Sequence, residues 1–153
     1  MQVNFITFNF LFMFKKESSI ELLNERSQNT MVDHLGIEFL EIGEDYITAK
    51  MPVDNRTVQP LRILHGGASL AFAETLGSMA AFLCIDEEKQ YCLGLEINAN
   101  HIRSVEEGSL VIGKAKALHI GRKTHVWEIK ISNSQNKLVC TSRITMMIMD
   151  KEN

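Results

Sequence analysis

Apolar and polar positions alternate with a period of two through most of the second half of the chain. Over 124–132, Val126, Glu128 and Lys130 alternate with Trp127, Ile129 and Ile131, the pattern of a half-buried strand. Similar runs over 91–104, 109–119 and 138–149 predict three more strands. Turn signals at Glu107-Gly108, Gly121 and 133–136 separate them. Two shorter runs, 36–42 and 46–53, flank Gly43-Glu44-Asp45 and read as a hairpin, with Pro52 ending its second strand. Residues 17–28 read as a short amphipathic helix capped by Ser18 or Ser19, with Ile20, Leu22 and Leu23 as its apolar contacts. Between the hairpin and the later strands, 65–85 is the only long helical pattern. It consists of Ala, Leu, Gly, Met and Phe, with Glu74 its one charge before Asp86. A helix apolar nearly all round is a buried helix. The order is hairpin, long helix, four strands. It predicts an α+β fold in which one antiparallel sheet of five to six strands wraps one central helix.

The chain has 153 residues, 45% of them hydrophobic and 23% charged, which is ordinary for a single globular domain. No repeat or linker divides it, so 17–150 is expected to form one domain. The opening MQVNFITFNFLFMF is apolar but lacks a basic region and a cleavage signal, and it is too short to cross a bilayer. Residues 1–16 are therefore expected to be an extension outside the fold, with a membrane-surface anchor as the alternative. The net charge of −3 gives no reason to expect nucleic acid as a partner, and no membrane association is expected. Three cysteines without C-x-x-C spacing read as buried thiols in a reducing, cytoplasmic compartment, with neither a zinc site nor a thiol nucleophile.

The chemistry gathers in 59–78, QPLRILHGGASLAFAETLGS. A His-Gly-Gly turn opens the long helix, and a helix N-terminus offers unpaired N–H groups that can hold an oxyanion. Glu74 follows nine residues after His65. A carboxylate on an apolar helix is costly to bury unless something uses it. At 3.6 residues per turn, Gly67, Ala71, Glu74, Ser78 and Ala81 share one stripe, small enough to line a ligand groove. Duller readings stand beside these. Glu74 would emerge at an interface or in a salt bridge, Gly66-Gly67 would be a tight turn, His65 an N-cap or a satisfied core group, and Ser78 a hydroxyl bonded to the carbonyl one turn back.

This order of elements, with the segments MPVDNRTVQP, LHGGASLAFAETLGS, LGLEINANHIRS, HIGRKTHVWEI and TSRITM, resembles the hotdog-fold acyl-CoA thioesterases. The likeness is to the branch that includes 1,4-dihydroxy-2-naphthoyl-CoA thioesterase and the aroyl-thioesterase proofreader of siderophore synthesis, and it covers most of 31–149. The resemblance implies hydrolysis of an acyl- or aroyl-CoA thioester with Glu74 as nucleophile or general base. It implies the Gly66 N–H as oxyanion donor, His65 closing the carbonyl pocket and Gln59 orienting the thioester or the water, while Ser78, one turn beyond Glu74, is placed to hold that water. His101, Arg103 and Ser104 match a strand end that touches CoA. Gly121, Arg122 and Lys123 are a second basic candidate for its phosphates, against the plain alternative of a solvated charged turn. Arg62 departs from the pattern, since relatives usually carry a small residue there. It either meets an acidic acyl group or the CoA phosphates, or it points to solvent or narrows the entrance. The family implies no cofactor or metal, and a homo-oligomer, commonly a dimer of dimers with active sites between subunits. The alternatives are a catalytically silent acyl-CoA-binding protein, a thioesterase acting on carrier-protein-bound acyl groups and, less well matched, a hotdog hydratase.

Overall fold

The computed structural model describes residues 13–14 and 18–152. Helix α1 (Ile20–Ser27) starts where Ser19 accepts from the Leu22 N–H, and it buries Leu23. A one-turn helix that the periodicity missed, α2 (Met31–His34), follows on a Thr30 cap. Strands β1 (Glu38–Ile42) and β2 (Tyr46–Val53) form the expected hairpin. Helix α3 (Gly66–Phe82) is the long helix, and β3 (Gln90–His101), β4 (Ser109–Ile120), β5 (Thr124–Asn133) and β6 (Leu138–Asp150) complete the chain. Among the described residues no helix is long and apolar enough to cross a membrane.

The six strands form one antiparallel sheet in the order β1-β2-β4-β5-β6-β3. From β2 the chain passes along α3 and enters the sheet at the far edge as β3. It then returns to place β4 beside β2. This is the hotdog fold, with one sheet curved around one helix. The inner face of the sheet (Ile47, Met51, Ala115, Trp127, Ile129, Ile144) closes on Phe72, Ala73, Leu76 and Ala80 of α3. Two glycines allow the close approach. A Cβ on Gly77 would lie 2.3 Å from Ile144 Cγ2, and one on Gly113 would lie 2.4 Å from Leu76 Cδ1.

Two expectations need adjustment. The sheet covers one side of α3 only, so Ser69, Phe72, Ala73, Leu76, Gly77, Ala80 and Ala81 are buried while Ala71, Glu74 and Ser78 remain half-open. Apolar composition all round thus overstated burial within a single chain. Phe14, in the stretch expected outside the fold, is buried and stacks on Trp127 with ring centroids 6.2 Å apart. The remainder of 1–16, apart from Met13, lies outside the described residues.

Candidate active site

Helix α3 begins at Gly66 because His65 is extended (φ −73°, ψ 135°) and caps it. The His65 Nδ1 accepts from the Gly67 N–H at 2.8 Å. That bond requires the ring proton to sit on Nε2. The Ala68 and Ser69 N–H groups donate back to the His65 carbonyl. The Gly66 N–H finds no acceptor among the described residues, so the first helical amide stays available at the positive end of the helix dipole.

Gly66 opens on a cleft of about 380 Å³ whose lining includes Gln59, Ser69, His101, Arg103 and Ser104. The His101 imidazole lies over Gly66, its Nε2 3.0 Å from where a Cβ would stand. Gln59 spends its side-chain oxygen on the Leu61 N–H at 3.3 Å and lines the cleft. Arg103 donates to the Leu138 carbonyl, and the Ile102 and Arg103 N–H groups donate to Val139, which fixes this strand end beside the helix start. The cleft therefore unites Gln59, Gly66, His101, Arg103 and Ser104. Buried Ser69 also lines it and was not singled out from sequence, although a hydroxyl in the first helical turn was the available signal.

Arg62 sits at the rim with φ 59°, the left-handed region that suits glycine. Its guanidinium is engaged by the Glu107 carboxylate on two sides, one contact being Nε to Oε2 at 2.8 Å. Arg62 is not part of the cleft lining, and its charge is already matched within the chain.

Glu74 lies eight residues beyond Gly66, which is about 12 Å along the helix. Its carboxylate packs against the Cα of Gly94 and receives a long bond from Ser78 Oγ at 3.5 Å. Ser78 also touches the Met146 sulfur at 3.8 Å, so its hydroxyl faces the carboxylate rather than the carbonyl one turn back. Thr75 makes that backward bond, to Ala71 at 2.8 Å. Glu74 has no ion-pair partner among the described residues. Burial raises its pKa above the usual carboxylate range, and the Ser78 bond opposes this only in part. A carboxylate so placed is a stronger base than a solvated one. Catalysis that needs it ionised is expected to show an acid limb with its midpoint above the usual carboxylate range. A pH profile of kcat/KM that stays flat down through that range would contradict this.

The Gly121-Arg122-Lys123 turn lies elsewhere. The Lys123 carbonyl accepts from Ile148 near the end of β6, whereas the cleft touches Val139 at its start. Nine residues of strand are roughly 30 Å. Lys123 pairs with Asp150 at 2.8 Å. One chain therefore does not bring this turn to the cleft. The three cysteines are free thiols. Cys140 is buried and the other two half-buried, and burial pushes Cys84 up to about 12, which makes it a poor nucleophile.

Comparison with known proteins fits this geometry. Residues 61–140 match the model of the thioesterase superfamily. The chain is 47% identical to the 1,4-dihydroxy-2-naphthoyl-CoA hydrolase of Escherichia coli K12, over 90% of this chain and 99% of that one. It is also 47% identical to the proofreading thioesterase EntH of Cronobacter turicensis, over 90% and 98% of the two chains. The crystal structure of a mutant thioesterase from Pseudomonas aeruginosa superposes with a TM-score of 0.88 at 45% identity, covering 91% of this chain and 99% of that one. With the hotdog sheet, the free amide at the helix start and the helix carboxylate in place, the chain belongs to the thioesterase superfamily.

Proposed function

We propose that the protein hydrolyses an acyl- or aroyl-CoA thioester to the free acid and CoA, in a site built from two copies of the chain. The observation that carries this reading is the separation on α3. Gly66, with its free N–H, and Glu74, with its partly desolvated carboxylate, are separated by about 12 Å of helix rise, more than two turns. A thioester carbonyl oxygen and its carbon are one bond apart, whereas the two groups stand more than two helical turns apart on one chain, which favours a site that takes one of them from a second copy. A second copy supplies the missing partner. Its docking is supported by β3, which among the described residues pairs only with β6 and leaves Leu93 (49%) and Leu95 (55%) exposed beside an open strand edge.

The carbonyl oxygen accepts from the Gly66 N–H of one copy, with the His101 ring over the same glycine and Gln59 at the cleft wall. The Glu74 carboxylate of the other copy then acts on the carbonyl carbon. As nucleophile it forms a mixed anhydride and releases the CoA thiolate, and water then cleaves the anhydride. As general base it takes a proton from water, whose oxygen attacks directly, and Ser78 is placed to hold that water. His65, committed to the cap, shapes the turn. Arg103 and Ser104 stand at the cleft for the CoA arm. Arg122 and Gly121 reach it only from another copy, which fits a dimer of dimers. An aromatic acyl group is supported by the similarity to a 1,4-dihydroxy-2-naphthoyl-CoA hydrolase.

Thiol release from benzoyl-, hydroxynaphthoyl-, phenylacetyl-, hexanoyl- and palmitoyl-CoA tests this. We expect turnover of several, ranked toward the aromatic groups, because a hydrophobic pocket separates acyl chains by only about 1–3 kcal/mol per methylene. CoA binding with no turnover would point to a silent binding protein. Turnover confined to carrier-protein thioesters would move the substrate class.

A further inference from the structure

We propose that Gly94 is a positioning residue for the reaction: the absent side chain on β3 makes the seat that aims the Glu74 carboxylate. This rests on the reading of Glu74 given above. A Cβ built on Gly94 would lie 2.4 Å from Glu74 Oε1, 3.3 Å from its Cδ and 3.5 Å from Oε2. These are its three nearest neighbours, so the space that the glycine leaves is filled by the carboxylate and not by core packing. Gly77 and Gly113 differ, because there the filling atoms belong to Ile144, Leu76 and Phe72.

The backbone gives no competing reason for glycine. Gly94 is not in the positive-φ region that strains other residues, which among the glycines holds Gly36 and Gly108. A glycine inside a strand weakens that strand, and here the strand is also an edge. The register supplies the other half of the device. Gly94 pairs with Met146 and Glu96 with Thr145, so Leu95 is the extra residue of a β-bulge beginning at the glycine. Bulges bend a strand locally and recur beside active sites. Met146 is also the residue whose sulfur touches Ser78. Glycine, bulge and Ser78 thus surround the carboxylate on the side facing β3.

The test is Gly94→Ala, measured beside wild type and Glu74→Ala on the best-turned-over thioester of the panel. The added methyl displaces the flexible end of Glu74 by about an ångström. We therefore expect kcat to fall by about 100-fold, with KM changed less than about threefold and an unaltered melting temperature. Glu74→Asp draws the carboxylate back from β3, so adding Gly94→Ala to Glu74→Asp should cost less than about fivefold in kcat, a non-additivity that general strand damage would not produce. Near-wild-type kcat in Gly94→Ala, equal losses in both backgrounds, or failure of Gly94→Ala to fold would each overturn the proposal. Wild type without turnover, or Glu74→Ala with full turnover, would take down the functional reading and this inference together. Turnover that needs Glu74 but ignores Gly94 would take down this inference alone.

Discussion

Glu74→Ala is expected to abolish thioester hydrolysis, lowering kcat by about 10³-fold or more, without unfolding the chain. The loss is large because Glu74 is the one carboxylate of α3 and sits where burial makes it basic. Positioned acid–base groups alone supply about 10² to 10⁴ in rate, and a nucleophile whose removal forces a different route supplies at least as much. Stability should move the other way. Burial makes the folded carboxyl hold its proton more tightly than the unfolded chain does. Between the unfolded and the raised folded pKa the folded state therefore binds more protons, and stability falls as pH rises through that window. At neutral pH the ionised group weighs against folding. Glu74→Gln should then melt at or above wild type near neutrality, with the gap closing below the ordinary carboxylate range. Thiol-release kinetics and melting curves across pH check both halves. A Glu74→Ala enzyme within tenfold of wild type would remove the residue from the chemistry.

Gly66→Pro should cost about 10² to 10³ in kcat relative to Gly66→Ala. Proline is well tolerated at the first helical position, and it lacks the N–H assigned to the oxyanion. His65 already has the extended conformation (ψ 135°) that a following proline requires, and the Gly66 N–H bonds to nothing among the described residues. The helix should therefore survive. Alanine is the needed control, since either substitution brings a Cβ to 3.0 Å from the His101 ring while alanine keeps the donor. The proposed two-copy site adds a sharper outcome. Co-refolded Glu74→Ala and Gly66→Pro chains should recover about a quarter of wild-type activity, because about half the dimers are mixed and each mixed dimer has one site with both groups intact. No recovery would mean that the two groups do not meet across a subunit boundary.

The limits of the sequence are physical and can be followed residue by residue. Period-two alternation placed all four later strands within a few residues, because each has one face on the core. Helix α3 was legible instead from its long apolar, helix-forming composition, and its start was marked by the His-Gly-Gly turn. The one-turn α2 has no period to read. Phe14 looked expendable because its partner, Trp127, is 113 positions away in the chain. Arg62 could be read from sequence as an anion contact, a solvated side chain or a narrowing of the entrance, and only the fold brings Glu107 to it and shows its left-handed backbone.

Local pattern determined the elements, the helix carrying Glu74 and the amide at its start, since periodicity, capping and the helix dipole act within a few residues. The tertiary structure alone decided that β3 crosses to the far edge of the sheet and that His101, Arg103 and Ser104 meet Gln59 at Gly66. It also put the Gly121–Lys123 turn at the other end of β6 and set the Glu74 carboxylate on Gly94. Those juxtapositions join residues 20 to 60 positions apart, and they follow from packing one curved sheet around one helix, a constraint that no short stretch of sequence carries.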